Sequence, residues 1–252
     1  INFFKNINLA EEYLSGYTNV KNLFDYLDLK RITWNNKRKS WNKKIYVVAP
    51  SNWIALNARK SFLFKENPIK VIPSALDLDF WSPIEQKEAR NILELPQNKK
   101  LLLFGALGGT TDIRKGGDLL QESLSKLKRK MSSSEDIELI IFGEDCPRKD
   151  LTSDFKIYYP GKINDDNLLK LYYSASDLFI LPSRQDNLPG TGIESQACGT
   201  PVLAFDIGGL SDIVEHLVTG ILIKPFDTES LSEEIYSLIT NSNKISHMRE
   251  AS

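Results

Sequence analysis

The chain has 252 residues, 41% of them hydrophobic and 26% charged, with 32 Lys and Arg against 33 Asp and Glu. That length supports one large or two modest domains with real cores, and the formal net charge of −1 excludes a chain devoted to nucleic acid. Two isolated cysteines, Cys146 and Cys198, exclude a zinc cluster or a disulfide framework, and no run reaches the roughly 18 apolar residues of a membrane span.

In chain order, the opening "INFFKNINLAEEY" lacks the basic start, apolar stretch and cleavage site of a signal peptide, so a reducing cytoplasm is the simplest reading. A chain that opens without Met in folded material, and stops at "ISHMREAS" inside a helical pattern, reads as a piece of a longer one. Lys30 to Lys44 carries seven basic residues, Trp34, Trp41 and no acid; it reads as a solvated, partly helical segment, with phosphate contact as the alternative. "KIYVVAPS" (Lys44–Ser51) and "IKVIPS" (Ile69–Ser74) are strand candidates flanking the helical "NWIALNARKSFLF", and "ALDLDFWSP" (Ala75–Pro83) is a connector.

From about Lys99, short apolar runs alternate with amphipathic segments. Leu101–Ala106, Ile137–Gly143, Lys156–Gly161, Asp177–Pro182, Pro201–Phe205 and Gly220–Ile223 read as buried strands, three of them ending at Gly or Pro. Leu120, Leu124 and Leu127 share a helix face, and "DDNLLKLYYSAS" opens with acids suited to a helix N-terminus. This alternation predicts an α/β fold with a doubly wound parallel sheet. Two strands cannot complete a domain. Residues 1–84 therefore read as the tail of a first Rossmann-like domain with its linker, and 85–252 as most of a second.

Ligands of such sheets sit at the carboxyl ends of the strands, so the loops there carry the candidates. "QDNLPGTGIE" follows one strand and places Asp186 and Glu194 around a Pro-Gly turn, with the helix predicted to start near Thr191. Free amide groups at that start suit a phosphate, and flanking carboxylates suit hydroxyls: a sugar nucleotide. The alternative, that Asp186 caps a turn and Glu194 merely favours the helix start, stands beside it on spacing alone. "FGALGGTTDIRKGGDLL" follows another strand, with Gly105, Gly108, Gly109, Gly116 and Gly117 permitting close approach and Arg114-Lys115 adding positive charge. It matches neither G-x-G-x-x-G nor the Walker pattern.

Together, "RKG" after "LLLFGA", Asp186 and Glu194 with seven residues between them, "ACGTPV" (Ala197–Val202) and "GGLSDIV" (Gly208–Val214) resemble the family-4 retaining glycosyltransferases of the GT-B fold. The branch most resembled builds bacterial polysaccharides. The likeness extends over roughly residues 44 to 250, taking in "VAPSNW" and "VIPSALDLDFWSP" as the end of the first, acceptor-side domain and its linker. It implies that Lys115 binds the donor diphosphate, Glu194 the ribose hydroxyls and Asp186 the transferred sugar. Backbone groups of Asn187, Leu188, Pro189, Gly190 and Thr191 would line the sugar and phosphate pocket beside Gly105. Gly143 and Lys162-Ile163 would approach the base. Asp186 departs from the commoner Glu, and Ala106 stands where an Arg is frequent; Arg114 is the candidate for that second charge.

The implied chemistry is breakage of an anomeric C–O bond, with Lys115, Arg114 and the helix N-terminus near Gly190 stabilising charge on the leaving diphosphate. No metal and no cofactor beyond the nucleoside-diphosphate sugar is expected. Asp77-Leu78-Asp79 spells a Mn²⁺-type D-x-D, but it matches the family's interdomain segment and is read as linker. The implied partners are the nucleotide sugar and a glycan or lipid-linked acceptor, with peripheral contact at the inner face of the membrane. A nucleotide-sugar-binding module without turnover is the alternative, and a GT-B epimerase or phosphorylase fits the spacing less well. His216 is expected at a helix end, His247 in solvent, and Cys198 as a small packed residue.

Overall fold

The computed structural model describes residues 16–17, 28–105, 112–131, 136–143 and 155–252. Ala106, Gly108, Gly109 and Cys146 lie outside them. The chain divides into two compact units, Ile1–Ser74 and Ala75–Ser252.

In the first unit, β1 (Val47–Ala49) and β2 (Ile69–Val71) pair in parallel, Val47 opposite Ile69. Between them runs α2 (Asn52–Lys60), started by the Ser51 hydroxyl, which accepts from the Ile54 amide at 3.1 Å. The basic segment forms α1 (Leu29–Ser40), capped by Asp28. Its tryptophans are engaged in packing: Trp34 is 1% exposed between Tyr17 and Phe62, and Trp41 stacks on Phe64 at 5.3 Å. Arg38 lies over Trp34 and Phe62, so part of the positive charge covers aromatic faces.

The second unit holds β3 (Lys100–Gly105), β4 (Ile137–Phe142), β5 (Lys156–Gly161), β6 (Leu178–Leu181), β7 (Val202–Phe205) and β8 (Gly220–Ile223). They form one sheet in the order β5-β4-β3-β6-β7-β8, every pair parallel. All six predicted strands of this unit are present, with ends within one residue of those predicted wherever the structure describes them. The central ones are apolar throughout because helices cover both faces. Leu102 and Phe104 point into one core and Leu101 and Leu103 into the other, as a period of two requires.

The first core is closed by α4 (Gly117–Lys130), α7 (Thr228–Thr240) and α8 (Ser242–Ala251) through Leu120, Leu124, Leu127, Ile235, Leu238 and Met248. The second is closed by α3 (Gln86–Ile92), α5 (Asp166–Ala175) and the end of α6 (Gly190–Ala197), through Ala89, Tyr173, Ala175 and Cys198. The connector packs here too. Leu76, Phe80, Trp81 and Ile84 join this core, and Lys170 Nζ donates to the Phe80 carbonyl at 2.6 Å. Residues 75–84 thus pack within the second unit, because their aromatic and aliphatic side chains find a hydrophobic face there.

At the amino ends of the strands lies a buried charge cluster. Asp177 Oδ2 accepts from Arg90 Nη2 at 2.7 Å and from the Leu101 amide at 2.7 Å. Arg90 also donates to the carbonyls of Ala175, Pro96, Gln97 and Lys99, and Arg249 Nη1 to that of Ser176. His216 is on no helix. It forms a bridge with Gly220, and its Nδ1 accepts from the Leu222 amide at 3.0 Å, because the turn of 3-10 helix at Leu210–Asp212 ends before it. His247 is exposed, and Cys198 is fully buried at the end of α6.

Candidate active site

Strand order reverses between β3 and β6, which are neighbours, so their following loops straddle the crevice where a doubly wound sheet binds ligands. The loop after β3 ends in a single 3-10 turn, Ile113–Lys115, started by the Asp112 carboxylate accepting from the Arg114 amide at 3.0 Å. Gly116 follows in the left-handed region, φ +71°, where a Cβ would sit 1.9 Å from the Pro182 carbonyl oxygen. Only glycine lets this turn seat against the end of β6.

Arg184 holds the turn from the opposite loop. Its amide donates to the Arg114 carbonyl at 2.7 Å and its Nη1 to the Ile113 carbonyl at 2.9 Å. Its guanidinium also grips Asp118, on the first turn of α4, at 2.6 and 2.5 Å.

So held, Lys115 Nζ reaches Asp186 Oδ2 at 2.6 Å, with the two side chains 24% and 18% exposed. Asp186 is itself held through its backbone. Its carbonyl accepts from the Gly209 amide at 3.0 Å, and a Cβ on Gly208, φ +66°, would lie 2.3 Å from the same oxygen. The Asn187 amide donates to Asp186 Oδ1 at 3.0 Å. Arg114 is committed differently: its guanidinium is largely exposed and pairs with Asp112 at 2.6 Å. That pairing raises the guanidinium pKa, to which the Asp186 charge adds a smaller share.

Helix α6 begins at Gly190, with Pro189 in the capping position and no side-chain cap bond, leaving amide groups at its start for an anion. Gly192 brings the helix close to β6, since a Cβ there would meet Ile213 and Leu181 at 2.6 and 2.8 Å. Glu194 lies one turn in. Its Oε2 accepts from the Tyr173 hydroxyl at 2.9 Å, and its Oε1 is 3.0 Å from where a Gly190 Cβ would be. Burial pushes the Glu194 carboxyl above its ordinary range; the Tyr173 hydrogen bond opposes this and the Asp166 charge adds to it.

The structure therefore brings Lys115 onto Asp186 and sets Gly190 beside Glu194. Gly105 ends β3 with no room for a side chain, a Cβ there falling 2.0 Å from the Phe142 ring. Gly143 and Lys162-Ile163 follow β4 and β5 on the same carboxyl edge, one and two strands beyond β3. The Gly143 amide donates to Gly161, Lys162 is exposed and Ile163 packs into the core. Leu188 and Thr191 are partly buried beside α6.

Sequence reasoning missed Tyr173, Arg184 and the hold of Gly208-Gly209 on Asp186. The glycine pair lies within the motif already noted, whereas Tyr173 reads as one more residue of an apolar helix face. Asp77 closes its own turn, accepting from the amides of Asp79 and Phe80 at 3.0 and 3.3 Å. Burial drives the Cys198 thiol up to about 12, which leaves it unreactive as a nucleophile. No helix among the described residues is long and apolar enough to cross a membrane.

A family model described as "Glycosyl transferases group 1" matches residues 85–252. A D-inositol 3-phosphate glycosyltransferase of Nocardiopsis dassonvillei is 26% identical over 206 residues, spanning 77% of this chain and 47% of the relative. The chain thus spans about half the length of that relative. Among solved structures, the sucrose-phosphate synthase of Thermosynechococcus elongatus superposes with a TM-score of 0.71 at 23% identity, covering 96% of this chain and 59% of the other. Anabaena HepE in complex with UDP superposes with a TM-score of 0.66 at 20% identity, covering 82% and 57%.

Proposed function

The chain belongs to the group 1 glycosyl transferases and shares their GT-B type α/β fold, and from that premise we propose that it carries the donor site of a retaining glycosyltransferase. The donor is a nucleoside-diphosphate sugar and the acceptor a glycan or lipid-linked glycan of cell-surface polysaccharide synthesis. The proposed setting is the cytoplasmic face of the membrane.

The observation that carries this reading is the Lys115–Asp186 pair, 2.6 Å apart at the switch point and flanked by the start of α6 and Glu194. A cation, helix amides and two hydroxyl acceptors match, group for group, a diphosphate between a ribose and a sugar. The structurally similar HepE was solved in complex with UDP, which supports a nucleotide as the ligand of this chain. As the anomeric C–O bond breaks, negative charge grows on the departing diphosphate. Lys115 turns from Asp186 toward that charge, the α6 amides stabilise it in place, and Arg114 adds its field from the neighbouring position. Asp186, freed from Lys115, accepts from a sugar hydroxyl, while Glu194 accepts from the ribose.

Calorimetry with UDP, GDP, ADP and their sugar forms tests the reading. One nucleotide should bind, and Lys115→Ala and Glu194→Ala should each weaken it by about 1–3 kcal/mol, as expected for a hydrogen bond to a charged group. No binding of any nucleotide would remove the donor site, and unchanged affinity in both variants would mean that it lies elsewhere. Binding without sugar transfer would leave a donor-binding module.

A further inference from the structure

Tyr173 stands where a core residue and a site residue are needed at once. Its ring is 0% exposed and packs edge-on or tilted against Trp81, Phe142 and Phe179, with centroids 5.7 to 6.2 Å away. Three aromatic neighbours leave the ring one orientation. Its hydroxyl then projects from helix α5 to helix α6 and donates to Glu194 Oε2 at 2.9 Å. A glutamate side chain has three rotatable bonds and no fixed direction of its own. One oxygen tied to an immobile hydroxyl removes that freedom and turns the other oxygen, Oε1, toward Gly190 at the start of α6. Gly190 has no side chain to fill that space. We propose that Tyr173 is a positioning residue for donor binding, acting through Glu194 by aiming Oε1 at the ribose hydroxyls beside the α6 N-terminus. This rests on the donor-site reading above.

Tyr173→Phe keeps the ring and its packing and removes only the hydroxyl, so affinity can be read on a folded protein. Calorimetry with the best-binding nucleoside diphosphate should show the variant binding about 3- to 10-fold more weakly, the range of one ordinary net hydrogen bond, because the lost bond acts on the ligand only through Glu194. A structural role would lower affinity whatever the nucleotide. Action through Glu194 has two signatures: the loss disappears with the 2′,3′-dideoxy form of the same nucleotide, and it disappears when Tyr173→Phe is added to Glu194→Ala. Glu194→Asp is the second variant, should Tyr173→Phe fail to fold. It keeps the charge but withdraws the carboxylate by one carbon, about 1.5 Å, and should bind as weakly as Glu194→Ala. Wild-type affinity in either Tyr173→Phe or Glu194→Asp would overturn the inference, as would a Tyr173→Phe loss that persists with the dideoxy nucleotide or in the Glu194→Ala background. If the parent chain binds no nucleotide, the donor-site reading itself fails; a parent that binds with these signatures absent overturns the role of Tyr173 alone.

Discussion

At the scale of single residues, the decisive feature is that each candidate carboxylate, Asp186 and Glu194, has a protein partner. On the proposed reading, Asp186 and the donor diphosphate compete for the same ammonium group on Lys115. Asp186→Asn should therefore tighten binding of the bare nucleoside diphosphate while reducing the extra affinity of its sugar form, both read by calorimetry. Weaker binding of the bare diphosphate would mean that Asp186 aids Lys115 and does not compete for it. Glu194 gives a pH prediction. Burial raises its folded-state pKa above the ordinary 4.5, so ionising it costs more in the folded chain than in the unfolded one. Its contribution is present in full below the unfolded value and is lost as pH rises through the folded value. Glu194→Gln still accepts from Tyr173 and carries no charge. Its Tm should exceed the parent's at pH 7, and that gain should vanish below about pH 4. A gain of equal size at both pH values would show that ionisation is not its source. Loss of nucleotide binding alongside the stability gain would be the familiar trade between activity and stability.

Among the elements, the turn bearing Lys115 and the loop bearing Asp186 are held by backbone contacts that tolerate no substituent. Gly116→Ala would carry the left-handed penalty of about 1–2 kcal/mol, in addition to the 1.9 Å approach to Pro182. Denaturant unfolding should show at least that loss, with nucleotide binding weakened as Lys115 shifts. Arg184→Gln should behave differently. Its partner Asp118 is half in solvent, so losing the pair should change stability by about 1 kcal/mol or less. Nucleotide affinity should fall by more than stability does, because the turn loses the bond at Ile113. Equal effects on folding and binding would assign Arg184 to general packing.

Taking the molecule as a whole, the site sits at the carboxyl ends of the strands and the buried Arg90–Asp177 cluster at their amino ends. Asp177→Ala leaves Arg90 buried without its counter-charge and should cost about 3–5 kcal/mol of unfolding free energy. Nucleotide affinity of the remaining folded protein should stay unchanged; a change in it would reveal coupling across the sheet. The strands were legible in the sequence because central parallel strands are apolar on both faces and show as unbroken runs such as Leu101–Phe104. The helix start at Gly190 was legible within a residue, since Pro189 forbids an earlier helical turn. His216 was misplaced on a helix because its local pattern does not reveal that the segment bridges to Gly220.

Sequence by itself determined the α/β alternation, the two glycine-marked loops and the Asp186–Glu194 spacing, all of which follow from local periodicity and turn chemistry. Only the tertiary structure decided how the charges are shared. Lys115 meets Asp186 across 71 residues and Tyr173 meets Glu194 across 21, while Arg114 stays with Asp112 two residues away. Those pairings depend on β3 lying next to β6 and on α5 packing beside α6. Strand order is set by how the whole sheet buries its two faces, and no short stretch of sequence encodes it.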